Sequence, residues 1–173
     1  LARMRTTIVI LVTDFKNVLW AHIGDTRLYH FAEGVLQYQT KDHSVPQSMA
    51  AAGDISHDQI RTHEDRNRLL RTMGQPNGVR PHIHKTTLPL FHRDIFLMCS
   101  DGFWEFVEEA EMELDYAKSA EPKHWLETME NRILDRAPED FDNYTALAVF
   151  VDFPDNPRPA PPEFLPAAPT VPV

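Results

Sequence analysis

Asp94-Ile95-Phe96-Leu97-Met98-Cys99-Ser100-Asp101-Gly102 is an apolar run that stops on a polar bend. The unbroken apolar stretch predicts a strand buried on both faces, inside a layered fold. The Ser-Asp-Gly after it predicts an abrupt change of direction, because Gly relaxes the steric limits on the backbone and Asp bonds nearby backbone N–H groups. Two other stretches repeat the design: His22-Ile23-Gly24-Asp25-Thr26-Arg27 and Phe141-Asp142-Asn143-Tyr144-Thr145. In each, an aspartate sits where a strand meets a tight polar bend. A strand end holds a carboxylate rigidly, and a neighbouring Gly24 or Gly102 lets a ligand approach the backbone with no Cβ in the way. Three such carboxylates, Asp25, Asp101 and Asp142, are able to converge on hard divalent cations such as Mg²⁺ or Mn²⁺, which prefer oxygen ligands. Paired, such cations activate water and neutralise a phosphoryl group. Turn chemistry alone also explains Asp beside Gly, and spacing leaves both readings open.

Outward from residues 94–102, the pattern predicts mostly strands on the N-terminal side. Residues 6–13 are rich in β-branched side chains and face residues 17–23 across the polar break Asp14-Phe15-Lys16, which reads as a hairpin. Residues 27–31 and 35–39 continue it, so an antiparallel meander is expected. From Ser44 to Met73 short polar-faced helices are expected, broken by Gly53 and Gly74, as an insertion over residues 44–74. A further strand is expected at residues 83–88. Downstream, residues 108–118 and 123–136 carry helix formers. In the second, Trp125, Met129 and Ile133 recur every four residues, which aims one face at a sheet. Residues 145–151 read as the last strand. From residue 154 the composition turns to Pro and Ala, and residues 154–173 are expected to be a disordered tail.

With 173 residues, 42% of them hydrophobic and 25% charged, the chain suits one α+β domain over residues 1–153. A net charge of −9 argues against nucleic acid, whose binding rests on clustered Lys and Arg. The single cysteine, Cys99, forms no internal disulfide, and a cytoplasmic location is expected. The apolar stretch 8–12 is too short to span a bilayer, so no membrane partner is expected. Inside a buried strand, Cys99 reads as a packing residue rather than a nucleophile. His82 and His84 read as a surface or edge strand rather than a zinc site. Trp104 and Phe106 read as anchors for the next helix. Glu108, Glu109, Glu111 and Glu113 read as a solvated helix face.

Five segments, in order, carry a resemblance. Ala21-His22-Ile23-Gly24-Asp25-Thr26-Arg27 resembles A-H-[IV]-G-D-S-R, and Thr40-Lys41-Asp42-His43-Ser44 resembles T-x-D-H-S. Gly53-Asp54-Ile55, His63, Arg66-Asn67 and Arg71-Thr72-Met73-Gly74 resemble G-x-[IL], H-P-x-R-N and L-T-R-x-[LM]-G, with Glu64 where Pro is usual. Residues 94–102 resemble D-x-[LF]-L-L-C-S-D-G, and Asp142-Asn143-Tyr144-Thr145 resembles D-N-x-T. These are motifs of the PPM-type, protein phosphatase 2C-like, metal-dependent protein serine/threonine phosphatases, and the likeness runs over residues 6–151.

The resemblance implies an αββα sandwich, two antiparallel sheets flanked by helices, with a dinuclear Mn²⁺ or Mg²⁺ centre at one end. It implies Asp101 and Asp142 as metal ligands, Asp25 at a third, weaker metal site, and Gly24, Gly102 and Asn143 in support. Residues 44–74 correspond to a flap that influences substrate access. The expected reaction is hydrolysis of phosphoserine or phosphothreonine in a phosphorylated protein, opposing a Ser/Thr kinase. The Asp-Gly-Phe-Trp-Glu-Phe run at residues 101–106 resembles bacterial members, including those associated with type VI secretion. The family's R-x-x-N-E-D and D-G-M-G-G-H segments have no counterpart here. The resemblance places the shared aspartate, the phosphate-binding arginine and the general acid in them. The chain, which enters a strand-like segment soon after Leu1, is therefore expected to be a C-terminal portion with little activity alone. The alternative is a pseudophosphatase, a binding module on the same fold.

Overall fold

The hairpin expected at residues 6–23 forms as β1 (Ile8–Thr13) and β2 (Asn17–Ile23), antiparallel from Ile8 opposite Ile23 to Thr13 opposite Val18. The structure, a computed structural model, describes residues 4–76, 78–119 and 121–160. Beyond β2 the chain departs from the expected meander. β3 (Arg27–Ala32) and β4 (Val35–Gln39) pair with each other but leave the first sheet. The bend at residues 24–26 thus crosses between two sheets. Gly24 permits the crossing with φ +103°, and a Cβ there would come 2.2 Å from Thr7 Cγ2.

The first sheet is completed on the other side of β2 by two short strands, β5 (His82–Ile83) and β6 (Leu88–Pro89), where one strand over residues 83–88 was expected. The second sheet has the order β4-β3-β7-β8, with β7 (Asp94–Cys99) and β8 (Ala146–Phe150). Its central strands show why residues 94–99 are apolar throughout. Side chains alternate between faces, so Ile95, Leu97 and Cys99 join Tyr29 and Phe31 in one core, while Phe96 joins Leu28, Val18 and Trp20 in the core between the sheets.

The helices that follow β7 cover the second sheet. Between β4 and β5, α1 (Val45–Ala52) is capped by Ser44, whose side chain accepts Gln47 N–H, and ends on Gly53 with φ 85°. The rest of residues 53–74 is turns around a short 3₁₀ segment at Asp58–Ile60. After β7 come α2 (Asp101–Trp104), α3 (Glu109–Ala117) and α4 (Pro122–Arg136). As the four-residue spacing predicts, Trp125, Met129 and Ile133 are each 0% exposed, packed with Met112, Phe31 and Ile95. Two antiparallel sheets with helices is the expected α+β fold. Among the described residues the helical layer lies on the β4-β3-β7-β8 sheet, and the outward Ile8, Ile10, Val12 and Ile83 of the other sheet are exposed.

Two readings need correction. The acidic run on α3 is not a solvated face: Glu109 pairs with Arg61, Glu111 with Arg132 and Arg136, and Glu113 accepts Leu36 N–H. These carboxylates are half-buried, and a charge partly removed from water gains from a partner. Nor is residue 154 the start of a free tail. Asn156 donates to Leu90 O at 2.8 Å, and Arg158 pairs with buried Asp94 and lies over the Phe91 ring. The tail expected at residues 161–173 lies outside the described residues.

Candidate metal centre

The register of the second sheet decides where the three aspartates lie. Arg27 at the start of β3 stands opposite Cys99 at the end of β7, and Cys99 stands opposite Ala146 at the start of β8. The segments carrying Asp25, Asp101 and Asp142 therefore leave the same end of the sheet. Hydrogen bonds then fasten them together. Ser100 N–H donates to Thr145 O, and Thr145 N–H to Ser100 Oγ, each at 3.1 Å. Trp104 Nε1–H donates to Asp25 O at 2.9 Å. Gly102 lies directly on the Asp142–Asn143 backbone, where a Cβ would come 2.7 Å from Asn143 O. The short α2 is thus pinned to both neighbouring loops, and Asn143 is its backbone contact.

The carboxyl groups differ in setting. Asp25 is buried, Asp101 half-buried and Asp142 exposed. Burial first, then the negative charge of Asp101, pushes the Asp25 carboxyl up to about 7 from 3.8. Asp101 Oδ1 accepts Gly102 N–H at 2.9 Å, and Asp142 Oδ1 accepts Asn143 N–H at 2.7 Å. Asp25 thus lies within the electrostatic reach of Asp101, and the Asp142 segment meets Gly102 through its backbone. Among the described residues no group of three His, Cys, Asp or Glu side chains is placed to hold a metal ion. The donor chemistry of the pair nevertheless fits a hard cation: two mutually repelling carboxylates, one desolvated, are stabilised by a positive ion between them.

Beneath this pair lies a network that reasoning from the sequence missed. The Arg27 guanidinium bonds Asp42 bidentately, Nε–Oδ1 at 2.9 Å and Nη2–Oδ2 at 2.7 Å, with both residues buried. It lies 3.4 Å over the Trp104 ring. Tyr29 OH donates to Glu109, which also takes Arg61 at 2.7 Å. Arg66 bonds Glu105 on the turn after α2 at 2.9 Å. The two ion pairs of Arg61 and Arg66 tie residues 58–68 to the elements that follow Asp101. Arg27 and Asp42 each stand in a recognised segment, so a signal was present, but nothing in either segment says that they meet.

His22 Nε2 bonds Lys41 O, and its ring stacks on His43 at 4.8 Å. His43 Nδ1 accepts Gly24 N–H at 3.2 Å, which fixes the crossing from the other side. Burial, with His22 and Arg71 nearby, pushes the His43 imidazole down to about 4. His82 lies 5.4 Å from His22, and His84 stacks on Trp20 at 4.3 Å. Cys99 sits in the core, where burial pushes its thiol up and keeps it protonated. No helix among the described residues is long and apolar enough to cross a membrane.

No family profile matches the chain. The serine/threonine phosphatase Stp of Listeria innocua is 34% identical over 110 residues, covering 64% of this chain and 43% of the relative. The solved structure of the serine/threonine phosphatase Stp1 from Staphylococcus aureus superposes with a TM-score of 0.77 at 26% identity, covering 87% of this chain and 58% of that one. The catalytic domain of the serine threonine protein phosphatase PstP, solved with 2 manganese ions, shares the fold with a TM-score of 0.71 at 24% identity, covering 88% of this chain and 61% of that one. The chain thus spans a little under half the length of the curated relatives it matches. Five ordered motifs, the two-sheet fold and these relatives agree, and together they support a PPM-type protein serine/threonine phosphatase.

Proposed function

We propose that this chain supplies part of a metal-dependent centre that hydrolyses phosphoserine and phosphothreonine in proteins, opposing a Ser/Thr kinase. The observation that carries the proposal is the arrival of the Asp25, Asp101 and Asp142 segments at one end of the second sheet, where Trp104 Nε1–H bonds Asp25 O and Gly102 lies on the Asp142–Asn143 backbone. Asp101 and Asp142 are the ligands for Mn²⁺ or Mg²⁺, with Asp25 at a third, weaker site. Gly24 and Gly102 hold the loops at their close approach, Asn143 gives α2 its backbone contact, and Trp104 holds the Asp25 backbone. The cations, when bound, lower the pKa of water and neutralise phosphoryl oxygens. Arg27, bonded to Asp42 and lying over Trp104, keeps the floor of the site rigid. Residues 44–74 act as the flap, clamped through Arg61 and Arg66. The further aspartate, the phosphate-binding arginine and the general acid that the family resemblance implies would be supplied by residues outside this sequence.

The test titrates Mn²⁺ into the 173-residue chain, follows binding by the loss of free-ion EPR signal, and records phosphoserine-peptide hydrolysis at saturating Mn²⁺. Weak binding that Asp101→Asn removes, with turnover near background, is expected. Binding identical in the chain and in Asp101→Asn overturns the metal assignment. Mn²⁺-dependent turnover that Asp101→Asn abolishes overturns the need for outside donors and leaves the phosphatase chemistry standing.

A further inference from the structure

Arg5, Arg71 and Arg80, with Leu70, Gln75 and Gly78, line a cavity of about 360 Å³. No carboxylate is among its lining residues, and among the described residues none of the three guanidiniums has an ion-pair partner within 4.0 Å. The contrast within the same molecule is sharp. Arg27, Arg61, Arg66, Arg132, Arg136 and Arg158 each pair with Asp or Glu. Arg93 and several lysines also stand without an ion pair among the described residues, but only here do three guanidiniums line one cavity with no carboxylate in its wall.

The cavity is built rather than incidental. Met73 N–H donates to Thr6 O at 2.9 Å, which joins the segment of Arg5 to that of Arg71. Gly74, with φ +79°, packs so closely on this segment that a Cβ would come 2.2 Å from Met4 O. Gln75 Nε2 donates to Leu70 O at 3.1 Å, and Gly78 N–H to Gln75 O at 3.2 Å, which closes the turn that leads to Arg80. The arginine side chains are exposed and reachable by a ligand.

Its position ties it to the candidate centre. Two residues beyond Arg5, Thr7 Oγ1 bonds Thr26 Oγ1 at 2.6 Å, beside Asp25. On the other side, Arg71 stands near His43, which accepts Gly24 N–H. An extended peptide advances about 3.3–3.6 Å per residue, which sets how many residues would separate the phosphorylated residue from the side chain that the arginines take. Guanidinium groups match the planar fork of a carboxylate and the oxygens of a phosphate, and several together favour a dianion.

We propose that this cavity is a subsite for a second oxyanion of the phosphoprotein substrate, near the residue that loses its phosphate; the inference rests on the phosphatase reading above. The oxyanion is a second phosphorylated residue or an Asp or Glu side chain. The test uses three labelled peptides that differ only around one phosphoserine: neutral flanks, Glu flanks, and a second phosphoserine. Their dissociation constants are measured by fluorescence anisotropy with the 173-residue chain, in chelator and again with Mn²⁺. Expected in chelator is tighter binding of the anionic peptides than of the neutral one, by about tenfold for the doubly phosphorylated peptide. The gain should shrink as salt rises from 50 to 500 mM, an order-of-magnitude range chosen from the screening length. Arg71→Ala with Arg80→Ala, and separately Arg80→Glu, should remove the gain with unchanged circular dichroism and leave the neutral peptide as before. The ratio of the phosphate gain to the Glu gain identifies the oxyanion. Equal binding of all three peptides, or a gain that survives in the arginine variants, overturns the subsite. Because the gain is read without metal, an arginine-dependent gain in a chain that fails to bind Mn²⁺ sinks the metal assignment and keeps the subsite, and the converse holds.

Discussion

Gly102→Ala tests the contact that holds the Asp101 and Asp142 loops together. The added Cβ would stand 2.7 Å from Asn143 O and 3.2 Å from both Asn143 C and Asp142 O, all of them backbone atoms. The shortest of these falls about 0.7 Å short of ordinary contact near 3.4 Å, so the two loops must part by several tenths of an ångström. Overpacking of this kind costs about 1–3 kcal/mol. Alanine's better helix propensity would by itself favour the change by up to about 1 kcal/mol, so a net loss of stability reads the clash directly. In a domain of this size each kcal/mol lowers Tm by about 2–4 °C, and a fall of several degrees is expected by calorimetry. The same separation moves Asp101 away from Asp142, and metal–ligand distances tolerate only about 0.2 Å. Mn²⁺ affinity should therefore fall at least about tenfold. Gly53→Asn serves as the control, since a Cβ at Gly53 meets nothing within 4 Å and Asn tolerates its left-handed backbone. An unchanged Tm together with unchanged Mn²⁺ affinity in Gly102→Ala would show that the two loops do not form one site.

Further outcomes follow from other contacts. Arg132→Ala leaves Asp115, 0% exposed, without partners now at 2.6 and 2.7 Å; a loss of about 3–5 kcal/mol is expected from the urea midpoint. His43, held down to about 4 from 6.5, binds fewer protons folded than unfolded between those values. Its stabilising contribution is therefore complete above about pH 6.5 and is lost as pH falls toward 4. His43→Asn, which keeps an acceptor for Gly24, should flatten that part of the stability profile in urea titrations from pH 7 to 4. Asp25 has the opposite sign: its folded pKa of about 7 lies above 3.8, so its contribution is complete at low pH and lost as pH rises through 7. In chelator at pH 8, Asp25→Asn should raise Tm while weakening Mn²⁺ binding, and a lower Tm under those conditions would contradict the repulsion between Asp25 and Asp101.

Most elements were legible because their information is local. The apolar run of β7, the hairpin of β1 and β2 and the four-residue stripe of α4 each state their own burial through a period of two or nearly four residues. Residues 82–89 were harder, since two pairs of residues flanking a turn resemble one strand. The acidic face of α3 was misread for a different reason. Charge on a helix looks the same in sequence whether water or an arginine faces it, and Arg61, Arg132 and Arg136 come from remote segments. Asn156 and Arg158 likewise gave no sign, amid prolines, that they bind Leu90 and Asp94.

The sequence by itself determined the family, the strands and the three aspartates at strand ends, because motifs and periodicity are written in consecutive residues. Tertiary structure alone decided that the chain changes sheets at Gly24, that Arg27 closes on Asp42, that Asp25 answers to Asp101, and that three arginines share a cavity. Those facts depend on how distant segments are brought together, and electrostatic energy depends on distance in space rather than along the chain.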